Sequence, residues 1–147
     1  MTHSGKNFVT IEEFIHSAIQ FEIDSAEFYR GMQEQVSNKN AREVLILLEK
    51  EERKHQQILR EFPIKEEDKD AILQFPPSLS LSMPDVPSEI SEVDEIIAVG
   101  VERERKSVEI YQKAADMVSG KFKELLTGLA NFEKQHEEKL LGLQALF

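Results

Sequence analysis

The sequence predicts an all-α protein, a four-helix bundle made of two antiparallel hairpins joined by a long crossover. Three observations predict it. Four long segments carry apolar or small residues at alternating steps of three and four, the spacing of a packed helical seam. The joints within each half are short, whereas residues 63–90 form a long connection that holds all five prolines. The two halves also resemble each other in sequence, so one hairpin predicts the other.

The first helix opens at Thr10, where Glu13 completes a capping box, and runs to about Gln35. The stretch "SNKN", residues 37–40, breaks it; Asn40 with Glu43 reads as the cap of the second helix, which ends near Glu61 before Pro63. In the crossover a short helical turn is expected near residues 66–73, with the rest extended. Its apolar "ILQFPPSLSLSM" would pack along the bundle or mediate dimer contacts. The third helix is expected from Ser91 to about Val118, "SG" at 119–120 is a helix stop, and the fourth runs from Lys121 to the C-terminus. Hairpin 10–62, crossover 63–90 and hairpin 91–147 then make a single domain of 147 residues.

Composition narrows the function. A net charge of −10 and a pI near 4.9 argue against nucleic acid or an anionic membrane surface as partner. The chain has no cysteine, which removes zinc–thiolate sites, iron–sulfur clusters and thiol nucleophiles and fits a reducing cytoplasm. No apolar run approaches the roughly 20 residues that span a bilayer. "MTHSGKNFVT" lacks the apolar core of an export signal.

The repeat is where the chemistry lies. "EIDSAEFY" begins at Glu22 and ends at Tyr29; "ERKSVEIY" begins at Glu104 and ends at Tyr111. Glu52-x-x-His55 and Glu133-x-x-His136 form the second matched pair, 81 residues apart. Each seam turns polar at these residues and becomes apolar or small again on both sides. Glu22 lies twelve residues past Thr10, Glu52 twelve past Asn40, Glu104 thirteen past Ser91 and Glu133 thirteen past Gly120. At about 1.5 Å per residue, all four carboxylates fall at one depth, the middle of the bundle.

Four carboxylates in an apolar core would repel one another or take up protons. Two divalent cations would neutralise them, and the two imidazoles would complete the ligand set. One glutamate on each of two helices, with Glu-x-x-His on each of the others, is the dinuclear carboxylate arrangement of four-helix bundles. Such ligands accept iron, manganese or zinc. The competing reading is an exposed charged face, with the seams shifted by a residue; the matched register and equal depth count against it. Glu51, Glu137 and Glu138 read as surface charge beside the seam, and Glu102 lies off it. Glu13-x-x-His16 has the same spacing, but it stands at a helix start and Glu13 serves the cap. His3 lies in the N-terminal tail. Tyr29 and Tyr111 could contact a ligand or relay an electron, or be core aromatics with hydrogen-bonded hydroxyls. Ser25 and Ser107 leave room beside the layer for water or oxygen, or let helices approach.

With these residues the chain resembles the rubrerythrin-type branch of the ferritin-like superfamily over about residues 10–146. The resemblance implies a non-haem di-iron centre in a ferritin-like four-helix bundle. Glu52 and Glu133 would bridge the metals, Glu22 with His55 and Glu104 with His136 being terminal ligands. It implies reaction with hydrogen peroxide or dioxygen, peroxidase action in oxidative-stress defence, and a homodimer. Two departures qualify it. No cysteine-ligated rubredoxin module is present, so turnover would need an external electron donor. Ser107 stands where rubrerythrins carry an extra glutamate, which favours a ferroxidase or oxidase role. The alternative is an iron or manganese handling protein without turnover.

Overall fold

A computed structural model describes residues 8–76, 79 and 93–145. Four helices dominate it: α1 (Ile11–Gln35), α2 (Lys39–Glu61), α3 (Val93–Ala115) and α4 (Gly120–Gln144). The chain is thus an all-α four-helix bundle. α1 packs chiefly on α2, and α3 on α4; α1 also meets α3, and α2 meets α4. The pairs Gln33–Glu49 and Glu22–His55 show that α2 runs back along α1. Among the described residues, no helix is long and apolar enough to cross a membrane.

The start of α1 is capped as its sequence predicts. Thr10 Oγ1 accepts the Glu13 N–H at 3.0 Å, and Glu13 Oε1 accepts the Thr10 N–H at 2.9 Å. Two more of the unpaired N–H groups at this end find crossover carbonyls: Ile11 N–H donates to Ala71 O at 2.9 Å and Glu12 N–H to Lys69 O at 3.1 Å. The crossover therefore ties down the helix it passes. It also pairs with the chain before that helix, in a short antiparallel ribbon of β1 (Phe8–Thr10) and β2 (Ile72–Gln74). No strand was expected here. The helical turn expected over 66–73 is a turn at 66–70 followed by β2. Chain that leaves a helix end must place its backbone donors and acceptors somewhere, and the ribbon supplies partners.

Three other boundaries differ from expectation. Asn38, not Asn40, caps α2: its Oδ1 accepts the Ala41 N–H at 2.9 Å. The Arg42 side chain donates to Val36 O and holds the turn. α3 stops at Ala115, short of Val118, in a tight turn where Met117 N–H donates to Ala114 O at 3.0 Å. α4 begins at Gly120, whose φ of 68° lies in the left-handed region open to glycine. The expected start of the third helix at Ser91, half of "ILQFPPSLSLSM" and His3 lie outside the described residues.

The buried apolar side chains fall into two clusters with a polar layer between them. One, including Phe14, Leu73, Phe75, Tyr111, Leu126 and Leu129, lies where α1 and α4 begin, and the crossover contributes to it. The other, including Tyr29, Met32, Leu45, Leu48, Ile97 and Leu140, fills the opposite end. Phe75 stacks on Phe14 with ring centroids 5.8 Å apart, which seats this part of the crossover in the core.

Candidate metal centre

The layer between the clusters consists of side chains that seldom enter a core. Glu22, Glu52, His55, Glu104, Glu133 and His136 are each at most 2 % exposed. Ser25 and Ser107 are buried beside them. Each helix delivers its residues by periodicity alone: Leu45 and Leu48 precede Glu52 on α2, and Leu126 and Leu129 precede Glu133 on α4, all buried on one seam.

The six residues form two overlapping groups. Glu22, Glu52, His55 and Glu133 offer ligand atoms all within 4.8 Å of one another, and so do Glu52, Glu104, Glu133 and His136. Glu52 and Glu133 belong to both. The imidazoles stack across the layer, ring centroids 5.7 Å apart, with an interplanar angle of 13°. His136 Nδ1 lies 2.9 Å from Glu104 Oε2, 3.0 Å from Glu52 Oε1 and 3.3 Å from Glu133 Oε1. His55 Nδ1 lies 3.3 Å from Glu22 Oε1, 3.4 Å from Glu133 Oε1 and 3.5 Å from Glu52 Oε1. Both histidines thus turn the same nitrogen inward.

The tyrosines cross between the halves. Tyr111 of α3 donates to Glu22 of α1 at 2.6 Å, and Tyr29 of α1 bonds Glu104 of α3. Each hydroxyl holds the carboxylate of the other hairpin. Sequence reasoning left open whether they are core aromatics or contacts of the site; the geometry makes them both. A further contact was missed. Glu51, read as surface charge, places Oε1 2.8 Å from His136 Nε2. One residue before Glu52 is about 100° round the helix, and only knowledge that α2 faces α4 there could have found it. Phe132 lies against His55, ring centroids 5.2 Å apart. His16 is elsewhere, in an open groove of about 460 Å³ with Ile15, Leu59 and Arg60.

Electrostatics in the layer is unfavourable without a cation. Burial first, then the Glu133 charge, pushes Glu22 up to about 7 and Glu104 up to about 8. Burial likewise raises Glu52 and Glu133, helped by neighbouring carboxylates. Burial alone would lower His55, but Glu133, Glu22 and Glu52 outweigh it and raise the ring to about 12. His136 is raised in the same way by Glu104, Glu133 and Glu52. Both tyrosines are held well above their ordinary value, by burial and then by the nearest glutamate, Glu104 for Tyr29 and Glu22 for Tyr111.

Even so, Oε2 of Glu52, Oε2 of Glu133 and Oε1 of Glu104 meet no donor although fully buried, and Oε1 of Glu52 and of Glu133 have only the histidine Nδ1 atoms that they share with the other carboxylates. A buried acceptor without a donor costs about 1–3 kcal/mol, more when charged. Hard oxygen donors converging with imidazole nitrogens are what a pair of divalent cations takes. The residues present therefore fit such a pair.

Comparison with known proteins points the same way. The family model described as Rubrerythrin matches residues 13–144. A structure from Thermotoga maritima, described as a ferritin-like diiron-carboxylate protein, superposes with a TM-score of 0.83 at 20% identity, covering 95% of this chain and 97% of that one. A hypothetical protein from Pyrococcus furiosus superposes with a TM-score of 0.72 at 30% identity, covering 93% and 89%. No curated protein matches the chain.

Proposed function

This chain belongs to the rubrerythrin family, and from that premise we propose that it is a non-haem di-iron protein that reduces hydrogen peroxide or dioxygen. Glu52 and Glu133, common to both groups, would bridge the metals. Glu22 with His55 would complete one position, and Glu104 with His136 the other. Bound as a ferrous pair, the metals would supply two electrons, so that one peroxide and two protons leave as two waters.

The chain's own residues do the rest. Tyr111 and Tyr29 orient the terminal carboxylates through their hydroxyls. The apolar clusters on either side keep bulk water from the layer. Re-reduction draws on a donor outside these 147 residues, which contain no cysteine for a rubredoxin-type iron. The observation that carries the reading is the set of buried carboxylate oxygens with no donor of their own.

A second reading, iron or manganese holding without turnover, is favoured by Ser107, the small buried residue where the family resemblance calls for another carboxylate. Anaerobic loading with ferrous iron, elemental analysis and the near-ultraviolet spectrum after peroxide separate the readings. About two ions per chain and rapid oxidation are expected. Two ions without oxidation would select the second reading, and no retained metal would exclude both.

A further inference from the structure

The layer is close to two-fold symmetric, and one contact breaks the symmetry. The offset of 81 residues that relates Glu52 to Glu133 and His55 to His136 also relates Glu51 to Phe132. Glu51 of α2 stands at the outer nitrogen of His136, Oε1 to Nε2 being 2.8 Å. Its counterpart Phe132 stands against the ring of His55, tilted by 52°. A phenyl ring fills that space, but it cannot accept a ring N–H as a carboxylate does. Among the described residues, no carboxylate reaches the outer nitrogen of His55.

We infer that Glu51 is a positioning residue for His136 and that it makes the two metal positions unequal, the one served by Glu104 and His136 being the tighter. The inference rests on the reading of the layer as a two-metal centre. A carboxylate that accepts the Nε2–H leaves the Nδ1 lone pair facing inward and stops the ring from rotating. It also makes that nitrogen a stronger donor. Glu51 is itself steadied by Lys139, whose Nζ lies 3.8 Å from Oε1. The inward contacts agree: His136 Nδ1 sits 2.9–3.3 Å from its three carboxylates, His55 Nδ1 3.3–3.5 Å from its own.

The test is a titration of the metal-free full chain with cobalt(II), read by its visible absorption and by competition with a chelator. The natural chain should bind two equivalents in two separate steps. Glu51→Ala should weaken one step by about 10- to 100-fold, alter the spectrum of that equivalent and leave the other step within about twofold. Glu51→Gln, which keeps an acceptor but not the charge, should recover part of the loss. Because Glu51 is about a quarter exposed, the metal-free fold should tolerate both changes. Superimposed curves for the natural chain and Glu51→Ala, or equal weakening of both steps, would overturn the inference while leaving two-metal binding intact. A natural chain that takes up no cobalt would overturn the two-metal reading as well.

Discussion

At the scale of single residues, the position of a glutamate in the layer decides how much its loss removes. Glu133 belongs to both ligand groups, Glu22 to one. Glu133→Ala should therefore abolish binding of both ions, whereas Glu22→Ala should leave about one ion per chain, counted by elemental analysis after dialysis. Equal losses in the two variants would contradict the shared role. Protons compete for the same atoms. Glu22, raised to about 7, and Glu104, raised to about 8, both lie above the ordinary 4.5. Each stabilises the metal-free fold below its unfolded-state value, and that contribution disappears as pH rises through its folded-state value. His55, raised from 6.5 to about 12, acts in the same sense. The melting temperature of chelator-treated protein should thus fall between about pH 5 and pH 8. Metal-saturated protein should show the opposite slope, because binding expels those protons. Parallel melting curves with and without metal across that range would refute the competition.

At the scale of elements, helix ends carry the local stability. Thr10→Ala removes one half of the box that closes α1 and should cost about 1 kcal/mol in urea unfolding; an unchanged midpoint would mean that the carbonyls of Lys69 and Ala71 suffice. The helices and the layer were legible because seam residues such as Leu45, Leu48, Glu52 and His55 recur with a period that needs no partner to be seen. Caps were less legible: Asn38 and Asn40 are two residues apart, and both suit a cap. The ribbon was hidden because "FVT" and "ILQ" are too short to show a period of two, and their pairing is a meeting of distant chain. Glu51 was misread for a related reason. Its role depends on which helix lies opposite, and one strip of sequence records only which face a residue is on. The crossed tyrosines belong to the same class, since Tyr29 shares a seam with Glu22 but serves Glu104.

At the scale of the whole molecule, the described part of the crossover belongs to the core. Phe75 is 1 % exposed and stacks on Phe14. Phe75→Ala should cost about 3–5 kcal/mol, measured by chemical unfolding of metal-free protein; a loss below about 1 kcal/mol would show that the segment merely lies on the surface. The ligand groups have a different consequence at this scale. One draws on α1, α2 and α4, the other on α2, α3 and α4, so neither is contained in one hairpin. A hairpin alone owns one carboxylate and one Glu-x-x-His, half of the complete set. If both halves descend from one ancestral gene segment, its product could have gripped metal only after meeting a twin, at a rate set by abundance. Residues 63–90 turn that chance encounter into a permanent tether, and the partner's local concentration no longer depends on how much protein the cell makes.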